Sequence, residues 1–222
     1  MYLHIYIKNG FYVPTLFWFM LIFSNDLFLS SFVALKVFSA NYWYHYGHLF
    51  DYNIPKQCNW LKQFVRFTDT GHLASFLYYC FPSFFPIAFN VHYSITFAYW
   101  ISIRFLGMKD LDEKVDDSII QPIHDTHETL NHSLPWVLLV FEYAQKRPCI
   151  ECFNSESLYY SYMWLYAWFC FAYLPWRFIT GDSVYSILDS KASYKTLGAS
   201  VLLIHGLIFF ANMSGRGLMQ IF

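Results

Sequence analysis

The sequence predicts an all-α, polytopic transmembrane helix bundle of about six spans, built as a single integral-membrane domain over residues 1–222. Three observations point there. Charged residues make up 13% of the 222, about half the roughly 25% usual in a soluble domain. Aromatic residues reach 23%, with Phe 25, Tyr 19 and Trp 8, more than one soluble core could enclose. Apolar tracts also recur at lengths near the about 20 residues that a helix needs to cross a ~30 Å hydrocarbon core. The 14 basic and 15 acidic side chains nearly cancel, which leaves no electrostatic footprint for nucleic acid. High apolarity with low charge equally excludes a disordered chain.

The first candidate span, residues 14–39, lies in an apolar tract from Phe11 to Ser39 that Asn25 and Asp26 interrupt. Lys8 followed by Phe11 to Phe23 also fits the n- and h-regions of a signal peptide. Ser24-Asn25-Asp26 lacks the small-x-small cleavage pattern, however, and apolarity resumes from Leu27 to Phe38, so the tract reads as an uncleaved anchor. The second candidate covers 64–81, the third 84–106, the fourth 123–143 with a polar first half, the fifth 158–176 and the sixth 196–212. Loops one, three and five, with adjacent helix ends, hold ten basic residues (Lys36, Lys56, Lys62, Arg66, Arg104, Lys109, Lys114, Arg177, Lys191, Lys195) against four on the other side (Lys8, Lys146, Arg147, Arg216). That asymmetry puts the odd loops in the cytoplasm and both termini outside or in a lumen. The third loop, Met108 to Ser118, is acidic and reads as a solvated connection.

An ionisable group at the centre of a span costs at least ~2.5–3.5 kcal/mol, so such residues are functional candidates by default. Here they gather in two segments. The second carries Arg66, Thr68, Asp69, Thr70 and His72 near its start; the fourth carries His124, Asp125, His127, Glu128, Asn131 and His132 along its first half. Both segments follow odd-numbered loops and so enter from one membrane face, which lets Thr68 and His132 meet at a shallow depth. His124, Glu128 and His132 fall at i, i+4 and i+8, on one stripe of a helix. Glu128 is thereby placed to accept from His132 and fix its tautomer. Pro135, a turn further on, is placed to kink the helix. The lone His92 and His205 read as satisfied structural histidines.

Three stretches carry a family likeness: Leu130-Asn131-His132-Ser133-Leu134-Pro135 running on to Glu142, Arg66-Phe67-Thr68-Asp69-Thr70-Gly71 after Trp60, and Thr180-Gly181 with Val184-Tyr185 and Leu188. In this order and at these intervals, from about Trp60 to Asp189, they resemble the androgen-induced-gene (FAR-17a-like) family of intramembrane threonine hydrolases. The family's catalytic His matches His132 when its downstream Glu is set on Glu142, with Pro135 and Asn131 slightly offset. Its catalytic Thr aligns with Thr68, and Thr70 stands two residues away as the alternative. The resemblance implies a carboxylic ester hydrolase that cleaves lipid esters, in particular fatty acid esters of hydroxy fatty acids. Thr68 would be the nucleophile and His132 the general base, with no metal and no cofactor. It also implies residence in the endoplasmic reticulum or another endomembrane, with the plasma membrane as an alternative. The chemistry is sound, since a Thr hydroxyl needs an adjacent base and an imidazole, with its ordinary pKa near ~6.5, can serve as one. Glu128 and Asn131 are assigned to orientation or oxyanion support by their place on the helix, not by the family.

Two other readings stand beside this one. His124, Asp125, His127, Glu128 and His132 offer ligands that Zn or non-haem Fe would accept, which makes a membrane metalloenzyme acting on lipid through His124, His127 and His132 the first alternative; against it, no second His-rich box exists. The second is a non-enzymatic protein whose polar residues glue helices together. Cys149 and Cys152 form one CxxC, half a zinc site, readable as a local disulfide or as free thiols.

Overall fold

The computed structural model describes residues 26–46, 64–105, 120–149, 151–181, 183–185, 188 and 193–221. The start of the first apolar tract, the acidic third loop, Trp60 and Cys58 lie outside them. Every described element is helical: α1 (Leu27–Tyr46), α2 (Phe67–Cys80), a 3-10 turn (Pro82–Phe84), α3 (Phe85–Tyr99) continued by a π turn (Trp100–Phe105), α4 (Ile120–Lys146), α5 (Ser155–Trp168) continued by a π turn (Phe169–Tyr173) into α6 (Leu174–Thr180), and α7 (Tyr194–Ile221).

Local chemistry sets the ends. Asp26 caps α1: its carboxylate accepts from the Leu29 N–H at 3.0 Å and its carbonyl from Ser30 at 2.9 Å, satisfying first-turn donors that have no intrahelical partner. The helix starts at Leu27 and runs past Ser39 to Tyr46; of the span expected over 14–39, residues 14–25 lie outside the described residues. Lys36, counted above with the first loop, sits in the middle of α1. α2 stops at Cys80 because Phe81 precedes Pro82 and is held extended (φ −137°, ψ 100°), as the proline ring requires. Pro86 lies in the first turn of α3, where no N–H is missed, whereas Pro175 follows the π turn inside the helical run 155–180. Asn154 and Ser157 form a capping box at the start of α5. Gly181 ends α6 at φ +71°, a left-handed position that glycine takes without strain.

α3 is the central helix and touches α2, α4, α5 and α7, while α1 lies on α4. From Phe85 to Thr96 every α3 residue except Tyr93 is buried, the pattern of a helix enclosed on all sides. Val91 and Ile95 join Val65, Phe67, Leu165, Trp168 and Ile208 in one apolar cluster. Phe85, Ala88 and Phe89 join Ala74, Tyr78, Leu139 and Phe153 in another. Gly71 lets α2 lie close on α3: a Cβ there would stand 2.7 Å from Ile95 Cδ1 and 3.1 Å from His92 Cε1.

At the far end, Lys146 bridges Asp26 and Glu142, and the Tyr78 hydroxyl donates to Glu142 at 2.9 Å. This cluster ties the start of α1 to the ends of α2 and α4. In the following loop Cys149 and Cys152 are joined as a disulfide. α7, 28 residues long, is long and apolar enough to cross a membrane.

Candidate functional site

Thr68 is the second residue of α2 and is 5% exposed. His132 projects from the middle of α4, in the turn before Pro135, which α4 passes without a break. The two side chains meet, with Thr68 Oγ1 and His132 Nε2 3.2 Å apart. The other ring nitrogen, Nδ1, lies 2.7 Å from the backbone carbonyl of Glu128, one turn earlier. A carbonyl only accepts, so Nδ1 carries the proton and a neutral His132 turns a bare Nε2 lone pair toward Thr68. The Thr68 hydroxyl is then the donor, the order that general-base activation requires. α3 fixes the ring from the other side. Tyr99 stacks on it with centroids 4.3 Å apart and planes 11° from parallel, Thr96 donates to the His132 carbonyl, and the Trp100 indole donates to Ser133 at 3.0 Å.

Glu128 is buried beside this pair, but its carboxylate does not make the short bond to His132. Oε1 lies 3.0 Å from His127 Nδ1 and 3.7 Å from an Arg66 nitrogen, and Oε2 is 3.5 Å from His132 Nδ1. The tautomer-fixing role expected of the carboxylate falls to the same residue's carbonyl, because a helical histidine at i+4 reaches it more directly. Asn131 turns toward α1, where its amide donates to Ser39 Oγ at 3.1 Å and to His127 Nε2 at 2.8 Å; the structure does not bring it to the Thr68–His132 pair. His124 Nδ1 is 2.6 Å from the Tyr42 hydroxyl, and His127 stacks on Tyr42 at 3.9 Å. His124, His127 and Asn131 thus form a polar seam between α1 and α4 with Ser39 and Tyr42. Among the described residues no three His, Cys, Asp or Glu side chains converge as a metal would need.

The remaining polar residues of α2 point elsewhere. The Thr70 hydroxyl donates back to the Phe67 carbonyl at 2.8 Å. Asp69 pairs with Lys36 of α1 at 2.7 Å, and the same ammonium lies 2.8 Å from His72 Nδ1. His72 faces His92 of α3, ring centroids 5.5 Å apart. His92 is fully buried; neither ring nitrogen makes a well-formed hydrogen bond, and the Gly71 backbone is the polar group within its reach. His205 is satisfied, by the Val201 carbonyl at 2.7 Å and the Tyr166 hydroxyl at 2.8 Å.

A further phenol reaches the site from the loop after α6. The Tyr185 oxygen accepts from the Phe67 N–H at 2.8 Å and lies within hydrogen-bonding reach of the Thr68 hydroxyl. Burial pushes its pKa up to about 12. Sequence reasoning used Tyr185 only as part of a family pattern and passed over Thr96, Tyr99 and Ser39, polar side chains with no signal of their partners. Lys36 did carry a signal, as the one lysine inside the run from Leu27 to Phe38. Comparison with protein-family models, with curated proteins and with solved structures finds no match to this chain.

Proposed function

We propose that this protein is a polytopic, membrane-embedded hydrolase of lipid esters, with Thr68 as nucleophile and His132 as general base. The observation that carries the reading is the directed chain from the Glu128 carbonyl through His132 Nδ1 and Nε2 to Thr68 Oγ1, at 2.7 and 3.2 Å. A buried hydroxyl aimed at a histidine of fixed tautomer is the arrangement by which a weak alcohol becomes a nucleophile. Thr70 suits the role less well, since its hydroxyl proton is committed to the Phe67 carbonyl.

In the reaction, Thr68 Oγ bonds to the ester carbonyl carbon as its proton passes to His132 Nε2, and the carbonyl oxygen becomes an oxyanion. Collapse breaks the bond to the alcohol oxygen, which takes the proton back from His132. Water then attacks the threonyl ester in the same way, releasing the acid and restoring Thr68. The substrate class that fits is an ester between two long hydrocarbon chains, such as a fatty acid ester of a hydroxy fatty acid, as the family likeness implies.

The surface supports a lipid setting. Phe171, Phe178, Ile179, Leu202, Phe210 and Ile221 are exposed on three separate elements, Phe178 at 92%, and soluble monomers rarely carry apolar surface on that scale. α7 passes the length and apolarity test by itself. The continuous helical runs 85–105 and 155–180 also exceed the about 20 residues that a crossing needs. The α1–α4 seam favours a gluing role for His124, His127 and Asn131, alongside the catalytic pair rather than in its place. The test is hydrolysis of a branched lipid ester by membranes expressing the chain. Thr68→Ala and His132→Ala should each abolish it, Thr70→Ala should retain it, and full activity in either of the first two would remove the site.

A further inference from the structure

The attack described above leaves a negative charge on the former carbonyl oxygen, inside a site with few donors. Such a charge needs hydrogen-bond donors already in place, and a single one is worth about 10²–10³ in kcat. One donor comes with the position of the nucleophile. Thr68 stands in the first turn of α2, where backbone N–H groups have no intrahelical acceptor and the helix dipole presents its positive end.

The second comes from far along the chain. The Tyr185 oxygen already accepts the Phe67 N–H at 2.8 Å and lies within reach of Thr68 Oγ1. The only hydroxyl proton of Thr68 goes to His132 Nε2, as the Glu128 carbonyl dictates. Thr68 has no second hydroxyl proton to give, so in any hydrogen bond between the two the phenol is the donor. Once Thr68 Oγ has bonded to the substrate, the oxyanion sits on the same carbon, beside Oγ. The phenol can turn its hydrogen about the C–O bond toward that oxygen.

We infer that Tyr185 is a catalytic residue that donates its phenolic hydrogen to the oxyanion, in concert with the Thr68 backbone N–H. This deepens the hydrolase reading and rests on it. Burial keeps the phenol protonated well above neutral pH, so it stays a donor throughout the working range. Its proton is shared with the oxyanion and returns when the intermediate collapses, so no charge or proton is left over.

The test uses the purified full chain in detergent with a branched lipid ester. Tyr185→Phe should lower kcat by about 10²-fold or more with KM nearly unchanged. It should also weaken a boronic acid that forms a tetrahedral adduct, and leave binding of the matching non-hydrolysable ether as it was. A phenol that merely caps α2 would affect both ligands alike or neither, and that result overturns the inference, as does a kcat within about threefold of the parent. If Tyr185→Phe fails to fold, 3,5-difluorotyrosine at position 185 keeps the shape and the Phe67 contact. The alkaline limb of the kcat profile should then move to lower pH, and an unmoved limb overturns the inference. Thr68→Ala separates the two levels. Activity surviving in Thr68→Ala removes the hydrolase reading itself, whereas an inactive Thr68→Ala beside a fully active Tyr185→Phe removes only the role of Tyr185.

Discussion

Two histidines on separate helices solve the same local problem in the same way. His132 directs Nδ1 at the carbonyl of Glu128, and His205 directs Nδ1 at the carbonyl of Val201, each four residues back and each at 2.7 Å. Each then offers Nε2 to a hydroxyl, that of Thr68 or of Tyr166. The orienting acceptor is thus supplied by the helix itself, and a carboxylate is not required to set the tautomer. It follows that Glu128→Gln should keep much of the activity, with a loss far short of the about 10⁴-fold that follows when the acid of a serine-protease triad becomes an amide. Steady-state kcat checks this, and a loss of that full size would return the orienting role to the carboxylate. At this scale the sequence was informative where chemistry is scarce. Thr68, Asp69, His127, Glu128 and His132 stood out because polar groups are costly among apolar neighbours. It was silent on whether Glu128 would act through its side chain or its backbone, since both lie one turn from His132.

Helix ends and helix neighbours differ in how far they can be read. The ends of α2 and α6 follow from Pro82 and Gly181, and α5 starts at the Asn154–Ser157 box, signals that a reader of the chain can find. The cap that Asp26 supplies to α1 is a signal in the chain as well, one that the apolarity on both sides of Asn25-Asp26 hides. Packing partners were harder still. Lys36 looks like a helix-end cation, yet it is a polar link between α1 and α2, paired with Asp69 at 2.7 Å with side chains 19% and 9% exposed. Removing one member of a largely buried pair strands the other charge, typically at a cost of about 3–5 kcal/mol. Lys36→Met should therefore destabilise the protein by roughly that order, while Lys36→Met with Asp69→Leu should recover most of the loss. Thermal unfolding in detergent measures both, and a single variant as stable as the parent would show that this pair does not hold α1 to α2.

For the molecule as a whole, composition announced helices in lipid, and every described element is helical. The order in which those helices pack was not available from the chain. α3 occupies the centre, buried on nearly every face from Phe85 to Thr96 with Asn90, His92, Ser94 and Thr96 enclosed, whereas Tyr185 returns to Phe67 across 118 residues, a closure that no local pattern announces. The run 155–180 separates the loop at Glu151 from the loop at Ser193. If it crosses the membrane, the two lie on opposite sides. In a background without native cysteines, Glu151→Cys and Ser193→Cys should react with an impermeant maleimide from opposite faces of sealed vesicles, with Ser193→Cys on the cytoplasmic one. Labelling of both from one face would contradict the spanning arrangement.

The most direct measurement is the identity of the residue that becomes covalently modified. A lipid-like fluorophosphonate, reacted with the full chain in membranes and mapped by mass spectrometry, should leave its adduct on Thr68, and His132→Ala should abolish the labelling. An adduct on Thr70 or on a serine, or labelling of Thr68 that persists without His132, would contradict the threonine–histidine pair on which the account depends.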